Sequence, residues 1–101
     1  SYSVTGVQTC ALPILRRSGG LPAFDQLNNF LMYSEMLIPT SNYWNVIHGR
    51  MPGEVTRDEE GAQIMRVLGK HMAWLLKLVE HGKGAVVPPE QEKKTYMHFV
   101  R

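Results

Sequence analysis

The sequence has little cysteine, little net charge and no long apolar run. Its single cysteine, Cys10, excludes an internal disulfide framework, and the lack of a CxxC motif leaves no cysteine pair for a metal. The net charge of +2 is too small to indicate a nucleic-acid partner. No apolar stretch approaches the roughly 20 residues that cross a bilayer. We therefore expect no nucleic-acid, membrane or metal partner, and a cytoplasmic protein.

With 101 residues, of which 44% are hydrophobic and 20% charged, the chain has the size and composition of one small globular domain. Positions 4–14, however, spell VTGVQTCALPI, which matches one reading frame of a widely used sequencing-library adapter. We therefore interpret residues 1–14 as an artefactual, adapter-derived segment and leave them out of the fold prediction. The alternative is a genuine strand from Cys10 to Leu15, interrupted by Pro13.

The spacing of apolar residues predicts a first helix and a strand directly after it. Phe24, Leu27 and Leu31 recur at helical intervals and predict a helix over about residues 22–35. The run Met-Leu-Ile at 36–38 is too short for a helix and predicts a buried strand.

A second helix is predicted from Thr56 to Gly82. Thr56 and Glu59 have the spacing of a capping box, in which each side chain bonds the other residue's backbone N–H. Gly82 is a natural C-cap. The apolar residues of this helix recur on one face, which predicts that they and Trp74 belong to a core: Ile64, Leu68, Met72, Leu75 and Val79.

A long loop separates the predicted strand from the second helix. It closes with the turn Pro52-Gly53 and is dense in aromatic and hydrogen-bonding side chains: Asn42, Tyr43, Trp44, Asn45, His48 and Arg50. A loop of this length without regular structure is uncommon in a compact domain and is usually functional. The sequence therefore places the candidate site in this loop.

The order loop, helix, strand, loop, helix predicts an α/β fold, specifically one half of a doubly wound parallel sheet. In open α/β sheets, ligands bind beyond the carboxyl ends of the strands. Two loops, RRSGG and TSNYWNVIHGR, lie at such positions in the predicted order. We therefore expect them to converge on one side of the sheet.

Four strings, RRSGG, DQLNNF, SNYWNVIHGRMPGEVTRDEEG and MAWLLK, together resemble the C-terminal part of the NAD(P)H-dependent FMN reductases with a flavodoxin-like fold. The resemblance implies that residues 15–82 are the C-terminal half of a flavodoxin-like domain, followed by a tail at 83–101. It also implies the cofactors FMN and NAD(P)H. By this resemblance, two loops lie near the flavin ring or a subunit contact and supply its binding residues: Ser18, Gly19, Gly20, Tyr43, Trp44, Asn45 and His48.

The function implied by the resemblance is hydride transfer from NAD(P)H through FMN to a small-molecule acceptor such as a quinone or a flavin. It assigns no catalytic side chain, and it implies a homo-oligomer for the full-length parent. Nothing in the sequence corresponds to the family's phosphate-binding loop, so we expect this fragment to bind FMN poorly. Two alternatives stay open: a non-enzymatic flavodoxin-like electron-transfer or interaction module, and an inactive truncated product.

Each candidate residue also has a structural interpretation. The glycine pair is equally compatible with a plain turn before a helix. Tyr43 and Trp44 either stack on an isoalloxazine ring or pack against a partner subunit. His48 either donates to a substrate or is a structural loop histidine. Arg50 either meets the phosphate of a nicotinamide cofactor or forms a salt bridge to Glu54.

Overall fold

A computed structural model describes residues 18–97, and in this part the chain is helical. The structure contains α1 at Gly20–Tyr33, a short 3₁₀ helix at Glu54–Arg57 and α2 at Glu59–Gly82. No strand occurs anywhere in residues 18–97. The predicted α/β fold, half of a flavodoxin-like doubly wound parallel sheet, is therefore wrong for the described chain.

The segment 36–38, predicted as a strand, has no regular structure. A β-ladder needs a second strand, and no other part of the described chain pairs with this segment. In addition, the backbone N–H of Met36 is already used, because it donates to the carbonyl of Leu31 at 3.2 Å. The apolar run thus follows the end of α1 directly, and the first of its residues is bonded to that helix end.

The end of α1 is a Schellman motif built on a residue other than glycine. Glu35 has a φ of 56°, in the left-handed region. Its N–H donates to the carbonyl of Met32 at 3.1 Å, while the N–H of Met36 reaches back to Leu31. These two bonds satisfy carbonyls that the helix end would otherwise leave free. The predicted helix at 22–35 is confirmed, displaced by two residues at each end.

α2 begins later than the capping-box pattern predicts. Its N-cap is Asp58, whose Oδ1 accepts the backbone N–H of Gly61 at 2.9 Å. Thr56 instead lies in the 3₁₀ helix, where its Oγ1 donates to the carbonyl of Gly53 at 2.7 Å. The acidic residues after Asp58 still place negative charge at the positive end of the helix dipole. The helix ends at Gly82 as predicted, but Gly82 is its last residue and not its C-cap, which is Lys83 with a φ of −57°.

The loop between the helices packs on the first half of α2. Ser41 donates from Oγ to the carbonyl of Ile64 at 2.7 Å, and the carbonyl of Thr40 lies 2.6 Å from Nδ1 of His71. A carbonyl oxygen only accepts, so Nδ1 carries the proton in this contact. Ile64 is 4% exposed and is the one buried hydrophobic residue in the described chain. The core of this part therefore lies between the loop and α2.

Elsewhere the helices have little cover. No Cα atom of α1 lies within 8 Å of one in α2, and α1 contains no buried residue. Trp74 is 63% exposed, so the prediction that it belongs to a core is wrong for this structure. The Cα radius of gyration is 17.5 Å, whereas a compact domain of this length has about 13 Å. The described part of the chain is therefore extended, with one locally packed region.

The adapter-derived segment predicted at 1–14 lies outside the described residues. The predicted boundaries at 15–82 and 83–101 stay predictions. Within the described part, neither helix has the length and apolar character that would allow it to cross a membrane.

Candidate functional site

The seven predicted binding residues fall in two separate places. Ser18, Gly19 and Gly20 lead into α1, whereas the other four lie on the loop that packs against α2. Among the described residues, no hydrogen bond joins one group to the other. They were predicted to converge on one side of a sheet. Because residues 18–97 contain no sheet, that reason for their convergence no longer applies.

Tyr43 and Trp44 form an exposed aromatic pair. Their ring centroids are 5.5 Å apart and the ring planes are inclined by 45°. The two side chains are 59% and 49% exposed, so a large part of their aromatic surface faces solvent. Aromatic rings present a flat apolar surface that another planar ring can cover. This pair is the largest exposed aromatic feature of the loop.

Directly after the aromatic pair the backbone makes a tight turn. The N–H of Val46 donates to the carbonyl of Trp44 at 2.8 Å, a bond that spans three residues as in a γ-turn. Asn45 is at the centre of this turn and is half-buried. The turn separates the exposed rings from the part of the loop that reaches Asp58 at the start of α2.

Ser18, Gly19 and Gly20 form the N-terminus of α1. Gly19 is the N-cap with a φ of 100°, and no side chain accepts from the first turn. A Cβ built on Gly19 would have no atom within 4 Å, so the space beside it is open. The positive φ explains the need for glycine here, because residues with a side chain rarely adopt it. Considering residues 18–97 alone, the open space and the N–H groups of the first turn, which no side chain caps, make this end of α1 accessible to a ligand.

His48 is held against the start of α2 by Asp58. Its backbone N–H donates to Asp58 Oδ2 at 2.8 Å, and its Nδ1 lies 3.4 Å from the same oxygen. The N–H groups of Gly61 and His48 both favour the charged carboxylate, and the pKa of Asp58 is lowered mainly for that reason. Of the two interpretations of His48, this geometry favours the structural one.

Glu54 holds the next part of the loop. Its Oε2 accepts the backbone N–H groups of Arg50 and Met51 at 2.8 Å and 2.9 Å. These two hydrogen bonds lower the pKa of the Glu54 carboxyl group. The predicted salt bridge between Arg50 and Glu54 is absent from the described contacts, because the carboxylate meets the backbone of Arg50 and not its guanidinium.

Glu54 and Asp58 are the residues of this region that the sequence analysis missed. The sequence pattern indicates Glu54 as a partner for a guanidinium and Thr56 as the cap of α2. One signal for Asp58 was available, since Asp three residues before Gly61 and ahead of an apolar periodicity is a common N-cap position. For Glu54 the only signal in the sequence is its position directly after the Pro52-Gly53 turn.

An open depression of about 530 Å³ lies on the first turns of α2, away from the aromatic pair. None of the seven predicted residues lines it, and its walls are mainly polar: Thr56, Glu59, Glu60, Ala62, Gln63 and Arg66. Residues 18–97 also bring together no group of three or more histidine, cysteine or acidic side chains that could hold a metal ion.

An iron-sulfur flavoprotein of Methanocaldococcus jannaschii is 30% identical to this chain over 70 residues. The alignment covers 64% of this chain but 36% of that protein, so the chain spans about a third of the length of the relative it matches. No family model matches the chain, and no solved structure matches it. The similarity therefore indicates a distant relationship to a flavoprotein.

Proposed function

We propose that this chain is part of a flavin-dependent oxidoreductase, in which hydride passes from NAD(P)H through FMN to a small-molecule acceptor such as a quinone or another flavin. The observation that carries the proposal is the 70-residue similarity to a protein named as a flavoprotein. The exposed aromatic pair on the loop supports it, because it offers a surface that suits a planar ring.

The residues present fit a flavin in two respects. Tyr43 and Trp44 are accessible and can stack on an isoalloxazine ring, an arrangement worth about 0.5–1.5 kcal/mol beyond the burial of surface. The uncapped N-terminus of α1 at Gly19 can donate backbone N–H groups to the oxygens of a flavin. Because Gly19 has no Cβ and open space beside it, a ring can approach the backbone closely.

An iron-sulfur cluster does not fit this chain in the same way. Such clusters are held by Cys thiolates, commonly four of them, and the 101 residues contain one cysteine. We therefore attribute the cluster to the matched relative alone and derive nothing from it for this chain.

The protein's part in the proposed reaction is to bind and orient. A bound flavin supplies the redox chemistry, accepting hydride from a reduced nicotinamide and passing electrons to the acceptor. In the proposed site the aromatic pair would fix the plane of the ring. No side chain of this chain receives a catalytic role. The proposal includes a homo-oligomer, in which a partner subunit can complete the site.

The two tryptophans provide a matched test of the site. Trp44 lies in the candidate loop and Trp74 on α2, and both are exposed. Binding of FMN to the chain is measured by flavin fluorescence and by NMR shifts of the loop amides, with FMN extended to millimolar concentration because weak binding is expected. Trp44→Ala should weaken binding by about tenfold, equivalent to about 1.4 kcal/mol, whereas Trp74→Ala should leave it unchanged.

An equal effect of the two substitutions, or FMN-induced shifts confined to residues outside the loop, would exclude the loop as a flavin site. NAD(P)H oxidation in the presence of FMN tests the enzymatic part separately. Binding that depends on Trp44 without any oxidation would reduce the proposal to a flavin-binding module.

A further inference from the structure

The part of the loop that follows the aromatic pair is held by two carboxylates, those of Glu54 and Asp58. Glu54 and Asp58 are four residues apart and face back toward the preceding loop. Together they accept three backbone N–H groups, those of His48, Arg50 and Met51, at 2.8 to 2.9 Å. Backbone donors to an ionised carboxylate make stronger hydrogen bonds than neutral pairs do.

Asp58 has a second role, because its two oxygens serve two different structures. Oδ2 accepts from His48 in the loop, while Oδ1 accepts from Gly61 in the first turn of α2. The same carboxylate therefore ends the loop and caps the helix. Loss of its charge weakens both attachments at once.

The loop also lies very close to the helix at this point. A Cβ built on Gly61 would come within 2.8 Å of Ile47 Cγ1 and 2.5 Å of Asp58 Oδ2. A Cβ on Gly49 would come within 2.7 Å of Val55 Cγ1. Real Cβ atoms do not tolerate such distances, so Gly61 marks a tight fit between the loop and the start of α2, and Gly49 marks one between the loop and the 3₁₀ helix.

We propose that Glu54 and Asp58 form a proton-operated latch, which holds residues 48–51 against the 3₁₀ helix and the start of α2 and, when its carboxylates are neutralised, releases the loop and the first turn of α2 together. The latch consists of backbone and carboxylate contacts within the chain. It goes beyond flavin binding and stands whether or not the loop meets a flavin.

The direction of the pH dependence follows from the hydrogen bonds. Both carboxyl groups have a lowered pKa in the folded chain, since the N–H donors favour the charged form. A group of this kind stabilises the latched state above its ordinary pKa, and the stabilisation is lost as the pH falls through the lowered pKa. The latch is therefore closed at neutral pH and opens in acid, as the pH falls through the lowered pKa values of the two carboxyl groups.

Other charged groups belong to the segments that meet at the latch. The loop contributes His48 and Arg50, the 3₁₀ helix contributes Arg57, and the first turn of α2 contributes Glu59 and Glu60. Of these, the His48 imidazole lies 3.4 Å from Asp58 and is a minor cause of its lowered pKa. The opening in acid is thus assigned to the two carboxylates that accept hydrogen bonds.

The experiment is amide hydrogen exchange of the 101-residue chain by NMR, expressed as protection factors between pH 7 and pH 3. We expect the protection of the His48, Arg50 and Met51 amides to fall by about tenfold or more in acid. The Gly61 amide should lose protection together with His48, because both depend on Asp58. Amides in the middle of α2 should keep their protection, since nothing in the latch touches them.

Substitutions at Glu54 separate the charge from the hydrogen bonds. Glu54→Gln retains an oxygen that can accept both N–H groups, so Arg50 and Met51 should stay protected and should no longer respond to pH. Glu54→Ala should leave them unprotected at every pH. Glu60→Ala is the matched control, because Glu60 carries a carboxylate in the first turn of α2 and accepts no hydrogen bond among the described residues.

Three results would overturn the latch. The first is equal protection of Arg50 and Met51 at pH 7 and pH 3 in the unsubstituted chain. The second is a Glu54→Gln chain that titrates like the original. The third is a loss of protection in the middle of α2 at the same pH as in the loop, which would mean general acid unfolding.

Discussion

The two halves of α2 have similar apolar faces but very different surroundings. Residues 59–71, the covered half, lie under the loop, and both of the buried residues of α2, Gly61 and Ile64, belong to it. Residues 72–82, the exposed half, have no buried residue, and Trp74 and Leu78 are open to solvent. The difference is not one of composition but of whether another segment of the chain reaches that part of the helix.

The loop is held on the covered half of α2 mainly by polar contacts. The loop is attached through Ser41 to the carbonyl of Ile64, through Thr40 to His71, and through His48 to Asp58. One buried apolar side chain supports these contacts. Loop and helix therefore form a unit whose geometry depends on directed hydrogen bonds as much as on hydrophobic burial. The predictions below test this contrast, beginning with the largest effect.

The largest effect is expected at Ile64. Truncation to alanine removes the apolar side chain from under the loop, and buried Ile to Ala changes typically cost 2–5 kcal/mol. Because the site is close to the surface, we expect about 2–3 kcal/mol in the free energy of opening the loop–helix unit. Leu78→Ala in the exposed half is the control and should cost less than about 0.5 kcal/mol. Amide exchange of the loop and of α2 measures both values.

A similar cost for Ile64→Ala and Leu78→Ala would show that the loop does not stabilise the covered half.

The sequence predicted the apolar face of α2 but not which half is covered. Periodicity reports the residues that share a face, and that part of the prediction is consistent with the burial of Ile64. Coverage depends on contacts such as Ser41 to Ile64, which are 23 residues apart in the chain. No local pattern encodes such a contact. For this reason Trp74 was assigned to a core and is found exposed.

The strand prediction failed for a related reason. A run of three apolar residues at 36–38 is compatible with a strand, but a strand exists only when a neighbour completes its ladder. The candidate site was predicted in part: the loop was located, and the exposure of Tyr43 and Trp44 is compatible with a binding role. The carboxylates that hold the loop were missed, because acceptors for backbone N–H groups leave little trace in a sequence.

The second prediction compares two glycines of the same helix. Gly61 lies in the covered half, where an added Cβ would collide with Ile47 and Asp58, whereas Gly69 has no atom within 4 Å of that position. Ala is favoured over Gly in a helix by about 1 kcal/mol. Gly69→Ala should therefore stabilise α2 by about that amount, while overpacking of about 1–3 kcal/mol should make Gly61→Ala destabilising.

The measurements for the glycine pair are helix content by circular dichroism and protection of the His48 amide. If both substitutions stabilise the helix and leave His48 protected, the loop does not lie tightly on α2.

The third prediction concerns the end of α1. Glu35 occupies the left-handed region, which costs a residue with a side chain roughly 1–2 kcal/mol and glycine almost nothing. Glycine loses more freedom on folding, which offsets part of the gain. Glu35→Gly should stabilise the end of α1 by about 0.5–1 kcal/mol, seen as slower exchange of the Met36 amide. Glu35→Ala retains the strain and should show no such gain, and equal exchange in both variants would exclude the cap.

The smallest effect is expected in the exposed half of α2. Trp74 is 63% exposed, so replacing it by Gln removes few contacts within the chain. Surface substitutions away from such contacts usually change stability by less than about 0.5 kcal/mol. Trp74→Gln should therefore leave the protection of the loop amides and the helix content unchanged, although Trp74 is the largest apolar side chain of α2. A loss of helix content comparable to that of Ile64→Ala would show instead that another segment covers this half in solution, and the contrast between the two halves would no longer hold.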